Sequence, residues 1–282
     1  MVVLTVGYWI FTVIGIITTM YTTVLCVIII KQYALDLKTW KKIEYQLILV
    51  RVFYDTINMI ITCIYFSSST FTLSNPEIVS YDISFIIALI ASIFLEMRSY
   101  LAALIATERV LATIFPIKYY HHRKSISNIH VIGMTILPGV ASYIVLFNVC
   151  EMKFPIENGC SSFNCATPLC YQNYLFSSKL IYSSTNALFS GILCLKLFYL
   201  SFKRTVVPTD LRKANIFSLT DGLSTLLFEL IPSLIFSNGI MNAKSLGPAM
   251  GVLRTIGRAV EASVMVKLMK KSTVLPVIKT EE

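Results

Sequence analysis

The sequence predicts an all-α membrane protein: a bundle of seven transmembrane helices, with the N-terminus outside and the C-terminus in the cytosol. Composition, the spacing of long apolar runs and the placement of basic residues predict it together. Of 282 residues, 56% are hydrophobic and 14% charged, and the mean hydropathy is +0.72. An ordinary soluble domain is ~25% charged, so this chain has too little charge to cover a water-facing surface. A soluble enzyme, a disordered chain and a small secreted disulfide scaffold are thereby excluded. A net charge of +9 would suggest nucleic acid in a soluble protein. Here it fits basic loops lying against anionic membrane lipid, and no nucleic-acid partner is expected.

A spanning helix needs ~20 mostly apolar residues, because each adds ~1.5 Å across a hydrocarbon core ~30 Å thick. Residues 2–30 carry no charge. The run is too long for the core of a signal peptide and has no basic segment before it, so a retained first span is expected. The second span is expected at 45–66 and holds Arg51 and Asp55. The third, 84–115, contains Glu96 and Arg98 and ends near Glu108 and Arg109. The fourth, 129–149, is free of charge. The fifth, 174–202, holds Lys179 and Lys196, and the sixth, 216–236, holds Asp221 and Glu229. The seventh, 246–269, carries Arg254, Arg258 and Glu261.

Orientation follows from the Lys and Arg of the short loops. Sixteen of the 24 fall on one side of this arrangement. They are Lys31, Lys38, Lys41 and Lys42, then Arg109, Lys118, Arg123 and Lys124. Lys203, Arg204, Arg212 and Lys213 follow, and Lys267, Lys270, Lys271 and Lys279 close the set. The other side has two, Lys153 and Lys244. An error of one span would scramble the alternation, so the count and the split support each other.

Three of seven cysteines, Cys26, Cys63 and Cys194, lie in spans, where a thiol is a small apolar filler. Cys150, Cys160, Cys165 and Cys170 share the loop after the fourth span. Charge places that loop outside, where disulfides persist. Four cysteines allow three pairings, and their spacing lacks a C-x2-C pair, so disulfides rather than zinc are expected. No second domain, internal repeat or N-x-S/T acceptor is present, so residues 1–282 are expected to form a single receptor-sized domain. A ligand site must then lie among the helices or under the second outer loop.

The most informative stretch is ERVLATIFPIKYY, Glu108 to Tyr120. Ala112, Pro116 and Tyr119 follow Arg109 at offsets of three, seven and ten. This resembles the E/D-R-x-x-A-x-x-x-P-x-x-Y signature of rhodopsin-like G-protein-coupled receptors. The resemblance implies that Arg109 closes the inactive bundle and meets a G protein on activation, with Glu108, Pro116 and Tyr119 completing the switch. LVRVFYD in the second span and MRSYLAALIATERVLATIFPIKYYHHRKSISN are similar to the nematode serpentine chemoreceptors of class BC. The similarity runs across most of the chain and is densest from Met97 to Asn128. It implies a seven-helix receptor in the plasma membrane of chemosensory neurons or their cilia. The implied partners are a small-molecule ligand, a heterotrimeric G protein and membrane lipids.

The sequence departs from the wider rhodopsin-like pattern in four places. Ser84 stands 25 residues before Arg109, where that pattern has a cysteine. The usual bridge to the second outer loop is therefore missing, and the four loop cysteines are expected to staple that loop to itself. The first span has no interrupting Asn. Pro232 is kept in the sixth span, but Leu230 replaces the tryptophan before it, and RTIGRAVEASVMVKL replaces N-P-x-x-Y in the seventh.

An ionisable group inside a span costs ~2.5–3.5 kcal/mol on insertion scales, so each is a functional candidate. Arg51 and Asp55 are four apart and share a helix face. Arg254 and Arg258 are also four apart, with Glu261 three further on, so this face needs an acid from another helix. Glu96 and Arg98, two apart, point to different sides. Arg51, Asp55, Asp221, Arg258 and Glu261 are expected to form an intramembrane ion network, because buried charges must pair. Glu96, Lys179, Glu229 and Arg254, nearer the outer half, are the ligand-binding candidates. The same charges could line a proton or solute path, which makes a transporter or channel the alternative.

Other chemistry finds no support. Lys267 lies too near the inner end of the seventh span for a retinal Schiff base. His121, His122 and His130 lack a zinc-hydrolase spacing and belong to a solvated loop. G-x-S-x-G, H-E-x-x-H and phosphate-binding glycine loops are absent. Neither catalysis, cofactor nor metal is expected.

Overall fold

A computed structural model of the chain describes residues 2–35, 43–74, 81–123, 127–156, 163–202, 209–237 and 249–273. The described residues are nearly all helical and include no strand. The long helices are α1 (Val2–Leu35), α2 (Ile43–Ser74) and α3 (Tyr81–Ile114). A short α4 (Pro116–Arg123) follows directly. The fourth rod is α5 (Asn128–Met134), α6 (Ile136–Ile144) and a terminal π turn (Val145–Val149). The one-turn α7 (Phe163–Ala166) precedes α8 (Leu169–Phe202). The sixth rod is α9 (Thr209–Thr225), a π turn (Leu226–Leu230) and α10 (Ile231–Ser237), and α11 (Ala249–Thr273) is the seventh.

Hydroxyl-rich stretches remain helical because the turn behind them accepts their protons. In α1, Thr12 donates to the Tyr8 carbonyl at 2.9 Å, and Thr22 to the Thr18 carbonyl at 2.7 Å. In α2, Ser67 and Thr70 donate to the carbonyls of Cys63 and Phe66 at 3.0 and 2.8 Å. These bonds carry α2 to Ser74, beyond the 66 at which the apolar run ends. A hydroxyl satisfied inside its own helix adds little cost in lipid, where no water replaces the bond.

Prolines set the two interruptions. Pro138 offers no N–H and its ring crowds the carbonyl four residues back, Met134, where α5 ends. Thr135 fills the break, its hydroxyl 2.9 Å from the Tyr54 hydroxyl of α2. Pro232 similarly withholds an N–H from Phe228, which lies inside the second π turn.

Among the described residues, six helices are long and apolar enough to cross a membrane. The rod α11 is 25 residues long but carries Arg254, Arg258, Glu261 and Lys267. It packs against α1 and α9, and α3 lies centrally, touching α2, α6, α8 and α9. Outward faces expose Ile17, Ile181, Leu195 and Phe198, as lipid-facing surfaces require. Close helix approach depends on two glycines. A Cβ at Gly222 would collide with the Ser190 side chain of α8, and one at Gly257 would lie 2.8 Å from the Phe228 Cβ.

Candidate functional site

Three layers of polar groups occupy the bundle axis. The middle layer is ionic. Arg98 of α3 donates from Nε to Asp55 at 3.0 Å, and from Nη2 to Asp221 at 2.8 Å and Glu261 at 3.0 Å. Arg51 of α2 reaches Asp221 at 2.7 Å and pairs with Glu261. Arg258 of α11 pairs with Glu229 and lies 3.1 Å from Glu261 and 3.6 Å from Asp221. Asn186 of α8 adds a hydrogen bond to Asp221 at 2.9 Å. Three guanidiniums thus face four carboxylates, contributed by α2, α3, the sixth rod and α11. All seven side chains are buried. Breaking one member of such a cluster typically costs ~3–5 kcal/mol, since it strands a partner's charge.

The π turn explains how two acids of the sixth rod reach one arginine. Asp221 and Glu229 are eight residues apart, which along a regular α-helix turns them about 80° from each other. The surplus residue of a π turn takes back most of that rotation. Both carboxylates therefore meet Arg258.

Toward the end of the bundle that holds the disulfide lies a cavity of about 160 Å³. Its wall combines Met59, Phe66, Ala88 and Leu175 with Asn58, Thr62 and Tyr65, and Phe163 of α7 contributes from the loop. Phe163 donates its backbone N–H to the Tyr65 hydroxyl at 3.3 Å. The cationic lining residues are Lys179, Arg254 and Arg258, and the described lining holds no carboxylate. Cys150 and Cys170 form a disulfide with Cα atoms 5.7 Å apart, tying the end of the fourth rod to the start of α8. Glu96 is 0% exposed and sits beside this cavity rather than on it. Its Oε1 accepts a 2.8 Å bond from Ser178.

At the opposite end, Glu108 accepts hydrogen bonds from the Tyr119 hydroxyl at 2.5 Å and Arg123 Nε at 2.6 Å. Arg123 also bonds Asn128, which donates to Gln46 of α2. Burial, reinforced by the adjacent Glu108 carboxylate, pushes the Tyr119 hydroxyl above its ordinary value, so it stays a proton donor. Burial is the largest influence on Arg123 and would weaken its charge, but the bond to Glu108, the charge of that carboxylate and Tyr119 together outweigh it and raise its pKa. Arg109 is 1% exposed, whereas Ile117 on α4 is 87% exposed.

A family model, serpentine type 7TM GPCR chemoreceptor Srbc, matches residues 4–273. The chain belongs to this family. It is a chemosensory receptor of the G-protein-coupled type and a multi-pass membrane protein, and the match takes in α11 with its four charged side chains in the first 19 residues. No curated protein matches it.

In this Srbc receptor, the residues predicted from sequence fall into place unevenly. Arg51, Asp55, Asp221, Arg258 and Glu261 come together in one cluster, and Glu229 joins them through Arg258. Lys179 and Arg254 line both the large cavity and a smaller void behind it that Glu229 also borders. Glu108 and Tyr119 meet directly, and Pro116 starts α4. Cys160 lies outside the described residues, as does the side chain of Cys165.

Arg98 is the residue that sequence reasoning passed over. Its neighbours three and four positions away, Phe94, Leu95, Leu101 and Ala102, are all apolar. An arginine in mid-span without an acid one turn away must find one on another helix, and that signal was available.

Proposed function

We propose that this Srbc receptor binds a small external molecule in the cavity and signals to a heterotrimeric G protein from the plasma membrane of a chemosensory neuron. The supporting observation is the double role of Arg258. It lines the cavity and holds Glu229 and Glu261 in the ionic cluster. A ligand that competes for Arg258 acts differently on the two packings of α11 against the sixth rod, which is the requirement for a population shift. The disulfide end is taken as external, in line with the split of basic residues. The shift then loosens the opposite end, where Glu108 ties α3 to α4 and, through Arg123, to α5. Arg109 becomes accessible there, and Ile117 offers an exposed apolar contact to the partner.

The test is Arg109→Ala in cells that display normal amounts of receptor at the surface. Ligand-driven G-protein signalling should fall to background. Signalling at the level of the unmodified receptor would reject the mechanism. An N-terminal tag should be reachable by antibody on intact cells, which a protein with its N-terminus inside would not allow.

A further inference from the structure

The cavity is electrically one-sided. Lys179 and Arg254 project from different helices, α8 and α11, onto the same space. Among the described residues, neither makes a hydrogen bond or an ion pair within 4.0 Å. Two acids lie nearby. Glu229 borders only the smaller void and is held by Arg258. Glu96, outside the lining, accepts from Ser178, and its charge acts on Lys179 from beyond 4.0 Å, whereas no described carboxylate acts on Arg254. Arg258 adds a third positive group at the wall; it is held by Glu229 and Glu261, and an anion bound alongside competes with those acids for it. An arginine cannot shed its proton. Arg254 thus stands beside a second cation on a wall whose described lining holds no carboxylate, and an anion entering from outside the described chain would give it a direct partner.

We propose that the ligand of this cavity is a small organic anion whose acidic head sits between Lys179 and Arg254. Arg254 offers the planar pair of N–H donors that matches a carboxylate, and Lys179 supplies a compact second charge. The remainder of the ligand is apolar, because Met59, Phe66, Ala88, Leu175 and Met250 form the rest of the contact. Hydroxyls of Thr62 and Tyr65 can serve a single polar group along that tail. A cationic amine is disfavoured by repulsion from both groups. A neutral molecule would leave Arg254 without an ionic partner. This reading deepens the receptor proposal by naming the ligand's charge and shape, and it rests on the cavity being the ligand site.

The experiment uses the purified full chain in lipid nanodiscs without any G protein. Hexanoate and 3-phenylpropionate are compared with the matching amides and amines by thermal melting and by titration. At least one acid should raise the melting temperature, while its amide and amine should not. The double variant K179Q/R254Q should lose affinity for that acid at least tenfold, and R254K should retain part of it. The empty double variant should melt at or above the unmodified protein, because the excess positive charge on the cavity wall has been removed. Equal stabilisation by the amides, stabilisation by the amines, no response to either acid, or an unchanged response in the double variant would each overturn the proposal. So would a lower melting temperature of the empty double variant, which marks the two residues as structural. Binding without any cellular response would count against the signalling reading and leave the anion site standing.

Discussion

Arg98 on α3 and Asp221 on α9 are joined by a 2.8 Å charge-assisted hydrogen bond across 123 positions of sequence. Their bond places the third helix and the sixth under one constraint. The same Nη2 also serves Glu261 of α11, so three rods meet at a single nitrogen.

Arg98→Met should therefore be among the most damaging changes in the bundle. It leaves four carboxylates facing two guanidiniums, with an expected loss of ~3–5 kcal/mol. Asp55→Asn removes the surplus negative charge instead, and its side-chain oxygen still accepts from Arg98. Thermal melting and surface abundance should rank Asp55→Asn well above Arg98→Met. Equal damage would show that the charge count does not govern this layer.

Glu108 anchors the cluster at the end of the bundle away from the disulfide, through Tyr119 and Arg123. Glu108→Gln should weaken both bonds, cost ~1–3 kcal/mol of local stability and raise ligand-independent signalling. Tyr119→Phe should do the same to a smaller degree, since one donor remains. Basal second-messenger levels at matched surface abundance check the order; basal activity unchanged in both would remove Glu108 from the switch.

The disulfide closes a separation of 20 residues. Cys150→Ser or Cys170→Ser should lower stability by ~2–4 kcal/mol. Melting curves with and without reductant should converge for the variants and differ for the unmodified chain. Peptide mapping that linked Cys150 to another cysteine would refute the pairing.

Gly222→Ala places a methyl group against the Ser190 side chain. Overpacking of this kind typically costs ~1–3 kcal/mol. Ser190→Gly should rescue most of it in the double variant G222A/S190G. A rescue that failed would mean that the α8–α9 spacing is set elsewhere.

Much of this architecture was legible in the sequence because the membrane imposes a local requirement. A run such as Val2 to Ile30 reports itself without reference to any other segment. The partition of the buried charges was legible only in part. Arg51 and Asp55 advertise each other at one turn's distance, and Arg258 and Glu261 do likewise. Arg98 does not, because its partners come from α2, the sixth rod and α11. Glu229 lies nearer the outer half of its span, which groups it with the ligand candidates rather than with Asp221. Its rank along an ideal helix points it away from Asp221, and nothing in LLFEL announces an extra residue in that turn. Pro232 marks the neighbourhood of the irregularity without fixing its register. The partner of Cys150 was equally beyond reach, since equal spacings among Cys160, Cys165 and Cys170 give no preference.

The turn at Leu226–Leu230 leaves the sixth rod with a residue to spare. Such a surplus is transferable: passing it one turn along the rod spins only the intervening side chains, by about 100°, while both flanks stay seated. Glu229 rides on that segment. A swivel of one turn would therefore swap Arg258's acidic company without tilting a helix, a gear change executed inside a stationary shaft.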